Sequence, residues 1–209
     1  MLTLTSDELL TTTRAVRKRL DLQRPVERQV VEECLQIAFQ APSGSNRQLW
    51  KWIVVDDPKL RVAMADIWRE GSKDLAAAAV GAPSLPKVER ADEMMSSVRY
   101  LNEHLHEVPM LLVPTIQGRP QIESMFQQST LWGSILPAVW SFMLALRARG
   151  LGSCWTTVHL EREAQMAELL QIPADYTQAG LFPIAYTIGT DFKPGAREAS
   201  RSSISWNSF

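Results

Sequence analysis

Cysteine and histidine are scarce in this chain, with two and three respectively in 209 residues, which is too few for a disulfide framework or a Cys/His zinc cluster. Cys34 and Cys154 lie far apart in unlike contexts. They read most simply as reduced thiols of a cytosolic protein, with a disulfide as the alternative. His104 and His106 are two apart, so on a helix they point to different sides, and no metal site is expected. A Gly-x-Ser-x-Gly elbow is missing, and none of Cys34, Cys154 or His159 stands in a nucleophile motif, so hydrolysis has no support. Also missing are Gly-x-Gly-x-x-Gly and the phosphate-loop signature, which counts against a Rossmann dinucleotide site and an NTPase. Neither sign of charge dominates: a net charge of -1 and a pI near 6.3 give no electrostatic case for nucleic acid or an anionic membrane. Met1 to Glu8 lacks the basic start and apolar run of a signal peptide, so a cytoplasmic location is expected. The uncharged stretch from Ser124 to Leu146 raises the question of a membrane span. Its first part carries Gln127, Gln128, Ser129 and Thr130, and Pro137 interrupts it, so it reads as a buried core helix.

What the chain does contain is enough apolar material for an ordinary core, at 45% hydrophobic and 22% charged residues. With no linker in view, residues 1–209 are expected to form a single domain. Val30, Val31, Cys34, Leu35, Ile37, Ala38 and Ala41 recur at helical spacing, which predicts a helix from Pro25 to Ala41. Trp50 to Val55 predicts a strand closed by Asp56-Asp57-Pro58. Further helices are expected over Lys59 to Val80, Val88 to Val108, a long segment ending at Arg149, and Glu161 to Gln171. Pro109 to Ile116 and Leu181 to Ile188 read as strands, and Ser153 to Thr157 as extended chain. No βαβ repeat of constant length appears, so the fold class is α+β, a sheet flanked by helices.

Between the first helix and strand lies Gln40-Ala41-Pro42-Ser43-Gly44-Ser45-Asn46-Arg47-Gln48-Leu49-Trp50. Pro42 disfavours helical backbone at Ala41, and Gly44 admits turns closed to other residues. Ser43, Ser45, Asn46 and Gln48 offer groups that both donate and accept hydrogen bonds, which suits a ligand with a mixed polar edge; a solvated turn is the plainer reading. Thr12 to Leu20 places four cations, Arg14, Arg17, Lys18 and Arg19, in six residues, a phosphate site or a solvated helix face. Arg149-Gly150-Leu151-Gly152-Ser153-Cys154-Trp155-Thr156-Thr157 is a glycine-punctuated helix end running into hydroxyl residues. The late tail adds Arg197 and Arg201.

In this order and spacing the four segments resemble the FMN-dependent nitroreductase family. The match runs through an Arg-x-x-Arg opening, Ala-Pro-Ser-Gly-x-Asn-x-Gln-x-Trp, Pro-Ala followed by Arg-x-x-Gly-Leu-Gly-Ser, and a basic tail. The family opening is Arg-Arg-Ser-x-Arg; Thr13-Arg14-Ala15-Val16-Arg17 lacks its first Arg and its Ser but keeps two cations. The resemblance implies a nitroreductase-like fold, with a mixed or antiparallel central sheet, as an intertwined homodimer whose long helix, rich in Trp132, Ile135, Leu136, Val139, Trp140, Met143 and Leu144, forms the interface. It implies bound FMN, NAD(P)H as electron donor, and ping-pong reduction of an electron-poor small molecule such as a nitroaromatic or quinone. The competing reading is a flavin-binding or flavin-sequestering protein of the same fold. The cofactor contacts carried over are Arg14, Ala15, Arg17, Pro42, Ser43, Asn46, Gln48, Trp155, Thr156, Thr157 and Arg197, with Arg201 a rival in the tail. Thr157 beside flavin N5 is the candidate catalytic residue. The lid is expected within residues 83–108.

Overall fold

The computed structural model describes residues 1–78, 91–195, 197 and 203–209. Its centre is an antiparallel sheet of β1 (Trp50–Val55), β2 (Met110–Gln117), β3 (Leu151–Gly152), β4 (Tyr176–Gln178) and β5 (Phe182–Tyr186), in the order β1-β2-β5-β3 with β4 also paired to β2. Both faces of β2 are covered, and its apolar residues divide by strand alternation. Met110, Leu112 and Ile116 join one core and Leu111 and Val113 the other. In β5, Phe182 and Ile184 face the first core, while Ala185 and the preceding Leu181 belong to the second.

Against the first face pack α2 (Arg28–Ala38) and α5 (Met125–Ala148). The buried side of α2 is Val31, Cys34, Leu35 and Ala38, as its periodicity predicts, although the helix stops at Ala38 and Phe39 to Ala41 form a turn, so the stop precedes the proline-restricted residue. In α5 the buried residues include Ile135, Ala138, Val139, Phe142 and Leu146. Long and apolar enough to cross a membrane by length and composition, α5 here places that side in the core.

The second face carries Met64, Ala65 and Trp68 of α3 (Pro58–Ala78), Leu101 of α4 (Ala91–His104) and Met166 of α6 (Glu163–Leu170). Gly71 lets α3 approach the 3-10 turn Val158–Arg162, because a Cβ there would collide with the Val158 carbonyl. The helix expected over Val88 to Val108 is α4 followed by a 3-10 turn at Leu105–Glu107, with 88–90 outside the described residues. Three elements carried no readable pattern: the capped α1 (Ser6–Thr12), the two-residue β3 and the short β4. Cys34 and Cys154 are both free and buried, and burial pushes their thiols up to about 11 and about 12, respectively.

Candidate functional site

The basic N-terminal segment is not a helix: Ala15 and Val16 pair with a neighbouring strand end, and Arg17 to Leu20 make a turn closed by the Leu20 N–H on the Arg17 carbonyl. Ala15 bridges Ser153 in parallel, the Val16 N–H donates to the Ser153 carbonyl at 2.8 Å, and Leu20 bridges Thr187. The segment therefore brings Arg14, Ala15 and Arg17 alongside the strand end that leads into Trp155, Thr156 and Thr157. Arg14 lies against Gly195, two residues before Arg197, so the tail reaches the same place. Arg201 is outside the described residues. At the back, the buried Arg147 donates to the Thr190 carbonyl at 3.0 Å and to Thr12 at 3.4 Å, with its guanidinium over Phe192. It ties α5, the N-terminal segment and the tail together.

The charges divide by partner. Arg19, Arg28, Arg69, Arg119 and Arg162 each pair with a carboxylate at 2.5 to 2.7 Å. Arg14 and Arg17 have no acidic partner among the described residues; Arg17 is half-buried, touches Ser97 at 3.5 Å and lies beside the Cys154 thiol. Lys18 donates to the Ser96 hydroxyl at 2.7 Å. Positive charge left without counter-charge is suited to an anion, and the guanidinium fork to a phosphate.

Trp155, Thr156 and Thr157 alternate in role as they alternate in direction. Thr156 is buried and fully engaged. Its backbone exchanges hydrogen bonds with Leu181, and its hydroxyl donates to the Leu181 carbonyl at 2.9 Å and accepts from the Trp68 indole at 3.2 Å. Both of its donors, the N–H and the O–H, are spent inside the protein, so Thr156 fixes the platform. Trp155 donates to the Ala179 carbonyl at 3.0 Å and stacks on Phe182 while staying 43% exposed. The hydroxyl and N–H of Thr157, which is exposed, have no partner among the described residues, leaving two donors at the edge of the platform.

His159, two residues on, is fully buried, and burial lowers its pKa to about 4. Neither ring nitrogen has a hydrogen-bond partner among the described residues, nor does the Oε1 of the adjacent Gln178, whose amide donates to the Glu163 carbonyl.

The Pro42 to Gln48 loop is elsewhere. It is seated on the first half of α5, where the Gly44 N–H donates to the Ser134 hydroxyl at 2.9 Å. A Cβ at Gly44 would stand 3.0 Å from that oxygen and 3.3 Å from Thr130, so the glycine serves the close approach, which a larger residue would push apart by a few tenths of an ångström, rather than backbone freedom. The left-handed backbone expected at Gly44 falls instead on Ser45, Asn46 and Gln48, with φ of 52°, 54° and 51°. Ser43 accepts from the Gln48 N–H at 3.3 Å, and the Gln48 amide donates to the Asn46 side chain at 2.8 Å; Pro42, Asn46 and Gln48 are exposed. Three non-glycine left-handed residues in four are a concentration of backbone strain of the kind found at ligand clamps. A cleft of about 310 Å³ opens beside the loop, between the end of β2 and the start of α5. Sequence reasoning missed its lining residues Arg47, Arg119 and Phe126.

The model of one family, the nitroreductase family, matches residues 10–186. The chain belongs to the nitroreductase family. A relative described as 5,6-dimethylbenzimidazole synthase, from Rhodospirillum rubrum, is 30% identical over 157 residues, covering 73% of this chain and 68% of that protein. Among solved structures, oxidized iodotyrosine deiodinase bound to FMN and 3-iodo-L-tyrosine superposes with a TM-score of 0.75 at 22% identity, covering 97% of this chain and 99% of that one. The FMN and NADPH-dependent nitroreductase NfnB of Sphigopyxis sp. strain HMH gives 0.69 at 21% identity, covering 99% and 100%. One fold thus serves relatives with different reactions, and the family alone does not choose the substrate.

Proposed function

We propose that this protein is an FMN-dependent oxidoreductase, a single flavin-binding domain over residues 1–209 that works as a cytoplasmic homodimer and uses NAD(P)H to reduce an electron-poor small molecule such as a nitroaromatic or quinone. The observation that carries the reading is the pairing of two guanidiniums without counter-charge among the described residues, Arg14 and Arg17, with the two donors of Thr157 that have no partner there, on one platform. Bound FMN would supply two-electron chemistry, taking hydride from NAD(P)H and passing the electrons to the acceptor in turn.

The residues present fit that group. Arg14 and Arg17, with Arg197 on the tail, would hold its phosphate and the side of the ring that gains negative charge. The Thr157 N–H or hydroxyl would donate at the ring edge, held in place by Thr156, and Ala15 and the exposed face of Trp155 would border the cofactor. Pro42, Ser43, Asn46 and Gln48 would reach it from a second chain. In one chain the two halves are seated at Ser134 and near Arg147, about 20 Å apart along α5, which supports a site completed by a partner. The outer side of α5 supplies the contact surface. Phe126, Gly133 and Trp140 follow one another at seven-residue steps, Phe126 is 79% and Trp140 43% exposed, and the space above Gly133 is open.

The test is FMN titration with sedimentation velocity, followed by NADPH oxidation with menadione or a nitroaromatic as acceptor. The expected result is a dimer that takes up one FMN per chain and turns over; Trp140→Asp should yield monomers with weakened flavin binding. A monomer that binds FMN tightly would overturn the two-chain site, and a yellow protein without turnover would make it a flavin carrier.

A further inference from the structure

The cleft beside the Pro42 to Gln48 loop has an apolar interior, with Leu49, Ile116, Phe126 and Leu131 among its walls, and two arginines, Arg47 and Arg119. Arg119 is spent: its Nη1 meets both Glu163 carboxylate oxygens at 2.7 and 2.9 Å, and its Nε donates to the Ala174 carbonyl. The neighbouring polar side chains are also engaged, Gln117 with Asp175, and Ser134 between the Gly44 N–H and the Thr130 carbonyl. Arg47 differs. It is exposed, its backbone N–H closes on the Gly44 carbonyl at 3.2 Å, and its side chain has no acidic or carbonyl partner among the described residues. It stands between Asn46 and Gln48, both left-handed, so costly backbone geometry on either side fixes where the side chain starts.

We propose that Arg47 is a specificity-determining residue that binds a carboxylate on the electron acceptor, whose aromatic or aliphatic body occupies the cleft. The inference rests on the reading that this loop borders the flavin site, and it narrows the acceptor from any electron-poor molecule to an anionic one. A guanidinium recognises a carboxylate through two parallel N–H donors, and an apolar wall next to it strengthens the pairing by excluding water. Because Arg47 is exposed, solvent screens the pair, and discrimination of roughly two- to fivefold is expected rather than the larger value of a buried pair.

Calorimetry with FMN-loaded protein tests this independently of turnover, with benzoate and benzamide as probes. Wild type should bind benzoate about two- to fivefold tighter than benzamide, with the preference weakening as salt is raised. Arg47→Gln should abolish the preference, Arg47→Lys should retain part of it, and neither should change the ratio of FMN to riboflavin affinity. Equal binding of the two probes by wild type, or a preference that survives Arg47→Gln, would overturn the proposal. So would a selective loss of FMN over riboflavin, or of NADPH over NADH, since Arg47 would then serve a phosphate of the cofactor or donor. In turnover, 4-nitrobenzoate takes two electrons and two protons to give the nitroso compound and water. NADPH supplies a hydride and solvent the second proton. Arg47→Gln should lower the kcat/KM ratio of 4-nitrobenzoate to 4-nitrobenzamide by the same factor. Absence of turnover with both would count against the enzyme reading, and the calorimetric preference would still decide this one.

Discussion

The two halves of the candidate site hold their ligand-facing groups by opposite means. The platform of Arg14 to Arg17 and Trp155 to Thr157 is tied into the core by backbone bridges at Ser153 and Leu181, a buried hydroxyl and a buried arginine. The Pro42 to Gln48 loop rests on α5 through one backbone-to-side-chain hydrogen bond and keeps its shape by left-handed residues. Burial holds the platform in place, so disturbing it should damage both stability and binding. The loop is held by local strain at the surface, so altering it should separate the two.

The largest effect should come from acid on the platform. His159 has a pKa of about 4 when folded, against 6.5 when free, because burial penalises its charged form. Between those values the unfolded chain binds the proton and the folded chain does not, so stability falls as pH drops from 6.5 towards 4, by about 3 kcal/mol in full. Asp56 and Asp74, held below the usual carboxylate range by hydrogen bonds from Arg28 and Arg162, act in the same direction only at lower pH. Chemical denaturation at pH 7.5 and pH 4.5 measures the loss, and His159→Asn should flatten the profile in that window. An equally steep profile in the variant would remove His159 as its cause.

Arg17→Ala should reduce FMN affinity by roughly ten- to a hundredfold, the loss of a charged hydrogen bond worth about 1.5 to 3 kcal/mol. Fluorescence titration reads it. An unchanged affinity would return the basic segment to surface charge. Thr156→Val removes the hydroxyl that accepts from Trp68 and leaves a buried indole N–H unpaired, which should cost about 1 to 2 kcal/mol by denaturant titration. If Thr156 only fixes the platform, flavin affinity in the refolded variant should fall less than in Arg17→Ala; a greater fall would restore it as a direct contact.

What could be read in the sequence follows the same division. β1 was legible to the residue, because Trp50 to Val55 is a β-branched and aromatic run between punctuated ends. Residues that act through local chemistry, such as the strained loop and the hydroxyl run after Gly152, stood out by composition and by family resemblance. What stayed hidden depends on partners distant in sequence. That Arg14 has no counter-charge among the described residues while Arg19 has Asp191, that Thr156 spends its hydroxyl on Trp68, or that Ser134 seats Gly44 is decided by tertiary neighbours no periodicity encodes. β4 was missed because three residues are too short for alternation to register, and its place is set by pairing with β2.

The smallest effect lies in the loop, and there the sign matters more than the size. Gln48 holds a φ of 51° without glycine's freedom or asparagine's tolerance of that region. Relief of this strain by Gln48→Gly is worth about 1 to 2 kcal/mol, set against about 0.5 to 1 kcal/mol for glycine's extra freedom when unfolded. The exposed amide contact to Asn46 subtracts little more, so a net gain near 0.5 kcal/mol is expected, or about 1 to 2 °C in melting temperature. Flavin affinity should move the other way, since the side chain that orders Asn46 is gone and the loop is free to leave its clamp geometry. Differential scanning fluorimetry and FMN titration on the same preparation measure both. A variant that is both more stable and a better flavin binder would mean that the strain serves some other end than holding the cofactor.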